Sequence, residues 1–207
     1  MTENEFDPGE KLMNDYRMAG GSAREISDLS HPQRQPAAAI PVLARWLSEL
    51  DLLWPGGESE ARRLARLTLI HALTGRESRR TSAIPALLAQ LDSRKEIDDF
   101  TRWSAGNALY EIPADDGHFD EMARIAQDRS LGTTRQMVVN WLGKSQRPEA
   151  AAVASSQLDD ETVQGHALDA MSRLRAQGVR NQVEPFTKSK NKWHRRSAER
   201  IIRYLED

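Results

Sequence analysis

The chain has 207 residues, no Cys and a formal net charge of −2, from 29 basic and 31 acidic side chains. The near-neutral charge argues against a broadly basic nucleic-acid binder, although a local basic patch stays open. No apolar run reaches the roughly 20 residues that a membrane-spanning helix needs, and zinc sites built on thiolates are excluded. A chain without Cys fits a reducing compartment, so we expect a cytoplasmic protein with no membrane partner.

The N-terminal part of the sequence divides into a tail and a cap. Residues 1–9 are acidic and are expected to be a disordered tail. Residues 10–36 are expected to form a short helical cap and a linker that contains two prolines. Within the cap we predict a helix over 10–19, followed by a second short helix. Ser22 would cap that second helix, because Glu25 follows it at the spacing of a capping box.

Residues 37–207 show helical periodicity throughout and no alternating pattern typical of strands. In the helix predicted over 58–73, the apolar residues Leu64, Leu67 and Ile70 are expected to face the core. The predicted helices of this array cover 38–53, 58–73, 83–91, 98–112, 118–128, 133–142, 148–158, a segment ending at 176, 182–188 and 193–205.

Two sequence patterns recur within this array. The pentapeptide that starts at Ala39 and ends at Leu43 returns between Ala83 and Leu87, and Leu47 returns as Leu91. A second pattern occurs three times, as Arg102-x-x-Ala105-x-x-Ala108-Leu109, Arg135-x-x-Val138-x-x-Trp141-Leu142 and Gln164-x-x-Ala167-x-x-Ala170-Met171. Repeated helices cannot bury their apolar faces alone, so this pattern predicts helix pairs that stack on their neighbours.

These motifs resemble the short HEAT-like repeats of bacteria, also called PBS-lyase-type repeats, as in small actinobacterial HEAT-repeat proteins. The resemblance covers about residues 37–207. It implies an all-α fold, a right-handed α-solenoid of about five helix pairs with a short N-terminal helical cap. In such arrays an acid that closes one repeat commonly pairs with the residue that opens the next helix. The resemblance thus implies contacts from Asp92, Asp128 and Asp159 to Arg102, Arg135 and Gln164, respectively.

Aromatic and polar residues mark a candidate surface for a partner. Trp103, Asn107 and Tyr110 share one face of a predicted helix, and Trp and Tyr are typical interface anchors. Packing of Trp103 against a neighbouring repeat is the alternative. Asn140 and Asp169 occupy the position of Asn107 in later repeats. They would form either a polar strip that binds a partner or a hydrogen-bonded ladder between repeats.

The only basic concentration lies near the C-terminus. It could hold phosphate or an acidic partner, or it could be the solvated polar cap of the last repeat. Its residues are Lys190, Lys192, Arg195, Arg196, Arg200 and Arg203.

The sequence contains no catalytic constellation, metal-ligand motif or phosphate-binding loop, so we predict no enzymatic activity, no metal and no cofactor. The favoured function is a non-catalytic scaffold that binds a protein partner. Nucleic-acid binding is an alternative, because some HEAT-like arrays hold DNA. The resemblance also raises a third function, that of a bilin lyase-like enzyme, which the sequence favours least.

Overall fold

The computed structural model describes residues 7–31 and 35–206. Throughout these ranges the chain is helical, with twelve α-helices, short 3₁₀ turns and no strand, which confirms the predicted all-α class. Most of the predicted N-terminal tail, residues 1–6, lies outside the described residues. The contacts divide the chain into two compact units, Met1–Pro113 and Ala114–Asp207.

The N-terminal unit contains six of these helices. Helices α2 and α6 each pack against α4 and α5, so these four elements enclose the core of the unit. The six helices are α1 (Pro8–Met18), α2 (Ile40–Ser48), α3 (Leu50–Leu53), α4 (Glu60–Ala72), α5 (Ala83–Leu88) and α6 (Asp99–Glu111).

The N-terminal cap forms with a shifted register. Asp7 accepts hydrogen bonds from the backbone N–H groups of Gly9 and Glu10, so α1 begins at Pro8, inside the stretch predicted as tail. The capping box expected at Ser22 lies instead three residues later. There Glu25 occupies the N-cap position of a 3₁₀ turn. Asp28, three residues later, accepts a hydrogen bond from the backbone N–H of Glu25 at 3.3 Å.

The recurring pentapeptide is a structural repeat as well as a sequence repeat. It starts α2 and α5, and these two helices pack against each other. The apolar residues of the repeat are buried in both copies, namely Ile40, Leu43 and Leu47 in the first and Ile84, Leu87 and Leu91 in the second. The predicted helix over 38–53 is nevertheless interrupted at Glu49, which separates α2 from α3.

Helix α4 buries Ile70 and Ala72 of its predicted apolar face, but it also buries two arginines in place of Leu64. Leu64 is half exposed, whereas Arg62 and Arg66 are buried beside Leu69 and Ile70. The prediction that Leu64 faces the core is therefore wrong. Acidic partners neutralise both arginines, and this compensation lets charged side chains occupy positions that periodicity assigns to apolar ones.

The C-terminal unit is built around one central helix. Helix α10 packs against α8, α9 and α12, while α7 packs against α8 and α9. The side chain of Trp141 is buried, as its place in the repeat predicts. The helices are α7 (Phe119–Gln127), α8 (Gln136–Trp141), α9 (Ala150–Ser155), α10 (Gln164–Leu174), α11 (Arg180–Val183) and α12 (Lys192–Glu206).

A glycine permits a close approach between backbone segments in this unit. Gly143 lies in the 3₁₀ turn after α8, and a Cβ placed there would be 2.8 Å from the Cα of Ala170 in α10. Any side chain at this position would push the turn away from α10, since the neighbouring atoms belong to backbone.

Candidate interaction surfaces

Helix α6 presents an aromatic face in the N-terminal unit. Asp98 caps the helix by accepting the backbone N–H of Thr101 at 2.9 Å. Trp103, Asn107 and Tyr110 lie on one side and are each half exposed, so the structure places the three predicted residues on one surface. The opposite side of α6 is buried.

One member of this face was missed from the sequence. Phe100 is 59% exposed and precedes Trp103 by three residues. At 100° per residue, Phe100, Trp103 and Tyr110 fall within about 80° of one another around the helix. The same helical spacing that grouped Trp103 with Tyr110 could have identified Phe100. We call Phe100, Trp103, Asn107 and Tyr110 the α6 face.

Asn140 and Asp169, the other two predicted residues, belong to the C-terminal unit and lie in different environments. Asn140 is 7% exposed, and its Oδ1 atom has no hydrogen-bond partner among the described residues. Asp169 is paired within its own helix with Arg173, at 2.8 Å. The sequence places Asn140 on a candidate binding surface. In the structure it lies in the interior, because α10 packs against α8, the helix that contains Asn140.

Helix α12 carries the basic surface. Its apolar side packs against α10 through residues that include Ala198 and Ile201, and the Tyr204 hydroxyl donates to the carbonyl of Met171 at 3.2 Å. The other side is exposed and basic. We call Lys192, Arg196, Arg200 and Arg203 the basic row.

The other two predicted basic residues differ from each other. Lys190 is exposed just before α12. Arg195 points elsewhere, because its guanidinium donates to the carbonyl of Ser189 at 2.7 Å. Arg195 therefore contributes to the local structure, and the basic row passes through Arg196, about 100° away around the helix.

The basic row belongs to a strongly basic part of the sequence. Residues 173–203 contain ten Lys and Arg against two acidic residues, whereas residues 114–172 contain five against ten. The overall charge of −2 conceals this separation. A local anion-binding surface is therefore compatible with a near-neutral chain.

Arg102 shows that the predicted acid–arginine pairs form differently. Its guanidinium donates to the backbone carbonyls of Asp92, Lys95 and Ile97. The Asp92 carboxylate is instead paired with Arg94 at 2.7 Å, which holds the pKa of Asp92 well below its usual range. The predicted ion pair is thus replaced by hydrogen bonds to carbonyls, because the turn after Asp92 directs several carbonyls at Arg102.

Arg66 is the centre of a buried polar cluster in the N-terminal unit. Glu58 accepts two hydrogen bonds from it, at 2.8 and 2.9 Å, and Asp51 accepts a third at 2.9 Å. The remaining N–H donates at 3.0 Å to Gln90, which follows α5. Burial opposes the charge on Arg66, but the bonds to Glu58 and Asp51 together raise its pKa.

Arg135 is the matching residue of the C-terminal unit and is 0% exposed. It donates to the carbonyl of Ala126, to Gln157 at 2.9 Å and to the carboxylate of Asp160. Burial lowers the pKa of Arg135, and Asp160 offsets only part of that effect. The acid predicted for this contact, Asp128, instead caps the preceding turn by accepting the backbone N–H of Ser130.

The third predicted contact, from Asp159 to Gln164, is also replaced. Asp159 pairs with Arg129 at 2.6 Å on the surface of the C-terminal unit. The local turn geometry therefore determines which residue each of the three acids contacts, and the repeat pattern does not.

A groove of about 700 Å³ lies in the N-terminal unit between α1 and the segment after it. Met13, Ile26, Trp54 and Leu64 give it an apolar lining. Of its polar groups, Asp7 caps α1 and Arg17 donates to a backbone carbonyl at 2.8 Å. These polar side chains are therefore used by the local structure, and they form no pair suited to acid–base chemistry.

The described residues contain no cluster of three or more His, Asp or Glu suited to a metal ion. In the same ranges no helix has both the length and the apolar character that crossing a membrane requires. No protein-family model, curated protein or solved structure matches the chain.

Proposed function

We propose that this chain is a HEAT-like repeat protein, a non-catalytic scaffold that binds a protein partner through the α6 face. The proposal includes a right-handed α-solenoid of about five helix pairs and a cytoplasmic location. A chain without Cys is compatible with that location.

Two internal correspondences support the repeat assignment. The first is the packing of α2 on α5, two helices that start with pentapeptides identical at four of five positions. The second is a buried arginine that donates to a glutamine 22 to 24 residues later, which occurs as Arg66 with Gln90 and as Arg135 with Gln157. Repeat proteins reuse the same sequence and contacts in successive units, so recurrence of the pentapeptide and of the arginine–glutamine contact favours the assignment.

The α6 face is the observation on which the proposal of protein binding rests. Phe100 exposes most of its ring, and the half-exposed Trp103 and Tyr110 flank Asn107 on the same side. Large aromatic side chains on a rigid helix bury much area at little cost in conformational entropy. An amide between them offers hydrogen bonds that orient a polypeptide. This combination is typical of the centre of a protein interface.

The test begins with proteins retained by the immobilised chain from a cell extract and continues with calorimetry on each purified candidate. We expect the true partner to bind at least about tenfold more weakly to Phe100→Asp, because that change puts a charge in the centre of the interface. The matched control is Leu52→Asp, which changes another exposed apolar residue of the same unit (76% exposed) and should leave affinity unchanged.

Two outcomes would overturn the proposal. One is that every retained protein binds Phe100→Asp and the wild-type chain equally. The other is that only nucleic acid or a small molecule is retained, since this would favour the nucleic-acid or the bilin lyase-like alternative. Far-ultraviolet circular dichroism of both variants checks that the helices persist.

A further inference from the structure

The basic row of α12 has no acidic partner among the described residues of the C-terminal unit. Lys192, Arg196, Arg200 and Arg203 are exposed, and none of them enters an ion pair with the described residues. Glu199 is the single acid of the helix within this stretch, so the four cations keep a clear excess of positive charge. Uncompensated cations on a fixed helix attract an anionic ligand.

The apolar side of α12 limits what can bind there. Ala198 and Ile201 are fully buried, and α10 packs against this helix. A membrane-surface helix needs an apolar face to insert, and a helix bound in a groove needs apolar anchors. Except for Trp193, which is 42% exposed at the start of the helix, α12 has already used its large apolar side chains, so its partner is held mainly by charge and hydrogen bonds.

The spacing of the row favours a short extended acidic peptide. Its cations are separated by four, four and three residues, which at 1.5 Å per residue gives steps of about 4.5 to 6 Å and a total length of about 16 Å. In an extended peptide every second side chain lies on one face, about 6.6 Å apart. Acids at alternate positions therefore match the cations one for one.

A nucleic-acid duplex fits this surface less well. It carries one charge per about 1.7 Å along its axis, so it needs a longer and denser basic surface than one row of four side chains. The preceding residues of the same unit, 114–172, carry twice as many acids as bases and supply no such extension. The guanidinium groups of Arg196, Arg200 and Arg203 can instead hold carboxylates in bidentate geometry.

We propose that the basic row of α12 binds an extended polypeptide segment with acidic side chains at alternate positions. This inference depends on the proposed function only in taking a polypeptide as the partner, since it concerns a surface other than the α6 face. The bound segment would span about five to seven residues, the length that matches the row.

The experiment measures fluorescence anisotropy of a labelled seven-residue peptide in which Glu alternates with Ser. We expect saturable binding that weakens as salt is added, and no binding of the peptide with Gln in place of Glu. The variant Arg196→Gln/Arg200→Gln should lose about tenfold in affinity. The matched control, Arg79→Gln/Arg124→Gln, removes two exposed charges elsewhere and should bind within about twofold of the wild type.

Equal binding of the peptide by the basic-row variant and the wild type would overturn the inference. So would tighter binding of a single-stranded oligonucleotide of the same charge at the same salt concentration. Phe100→Asp separates the two proposals, because it should bind the Glu-Ser peptide normally. If the wild-type chain binds the protein partner at the α6 face but does not bind the Glu-Ser peptide, the basic-row proposal alone is rejected.

Discussion

Arg66 in the N-terminal unit and Arg135 in the C-terminal unit are paired with different numbers of carboxylates. Both are buried, and both donate to a glutamine near the end of the next helix. Arg66 has two carboxylates around it, from Glu58 and Asp51. Arg135 has one, from Asp160, and its Nε atom has no hydrogen-bond partner among the described residues.

The exposure of the acids makes the difference larger. The side chain of Asp51 is 55% exposed and can be hydrated if its partner is lost, whereas that of Asp160 is only 14% exposed. Burial lowers the pKa of Arg135, while that of Arg66 is raised by its two acids despite burial. The comparison teaches that a buried charge depends on how completely its surroundings compensate it.

The largest expected effect is on Arg135. Replacing it with Met leaves Asp160, Gln157 and a backbone carbonyl without their donor, so we expect the free energy of unfolding to fall by about 3–5 kcal/mol. Arg66→Met should cost less, about 2 kcal/mol, because Asp51 is half exposed and Arg62 still pairs with both Asp51 and Glu58. Urea denaturation of both variants measures the difference. An equal or larger loss for Arg66→Met would refute the comparison.

The acids should show the same order with a smaller effect. Asp160→Asn removes the carboxylate that is paired with Arg135 and should cost about 2–3 kcal/mol. For Asp51→Asn we expect about 1 kcal/mol or less, because Asp51 is half exposed and Glu58 still neutralises Arg66. Hydrogen exchange resolved to peptides shows whether each loss stays in its own unit. Similar costs for the two variants would mean that burial of the acid is unimportant.

A substitution without charge tests whether the C-terminal unit is simply more fragile. Gly143→Ala forces its new methyl group onto the backbone of Ala170, so we expect a loss of about 1–3 kcal/mol in the free energy of unfolding. The control is Gly57→Ala in the N-terminal unit, where nothing lies within 4 Å of the added Cβ. Thermal melts of the two variants give the difference, and a stable Gly143→Ala would show that the turn moves away from α10 at little cost.

Acidification should have a smaller effect than the loss of Arg135 or of Asp160. Burial lowers the pKa of His166 to about 4, with His194 adding to the shift and Asp169 opposing it. The unfolded chain takes up this proton near pH 6.5, so stability is present above that pH and declines as the pH falls towards 4. We expect the C-terminal unit to lose roughly 1–2 kcal/mol by pH 5.

The variant His166→Gln provides the check on that pH dependence. Denaturant titrations between pH 7 and pH 5 should show a flatter profile for the variant than for the wild type, because one proton-linked group is absent. Identical profiles would assign the pH dependence to other groups, such as His71, whose pKa burial also lowers.

Much of the helical fold could be predicted, because apolar periodicity and caps act locally. The pentapeptide repeat identified two helices that pack together, and the spacing of Trp103 and Tyr110 identified one surface. The burial of Arg66 on α4 could not be predicted, since the acids that neutralise it come from a turn and from another helix. The partner of Arg135 was missed for the same reason, as Asp160 lies 25 residues away.

The concentration of basic residues near the C-terminus also affects retention of the protein on an ion-exchange column. Residues 173–203 combine ten cations with two acids, while the whole chain stays at −2. Retention on an ion exchanger follows the surface that faces the resin, and net charge alone does not determine it. At neutral pH and low ionic strength, this protein should adsorb to a sulfonate matrix despite its acidic isoelectric point of about 6.2.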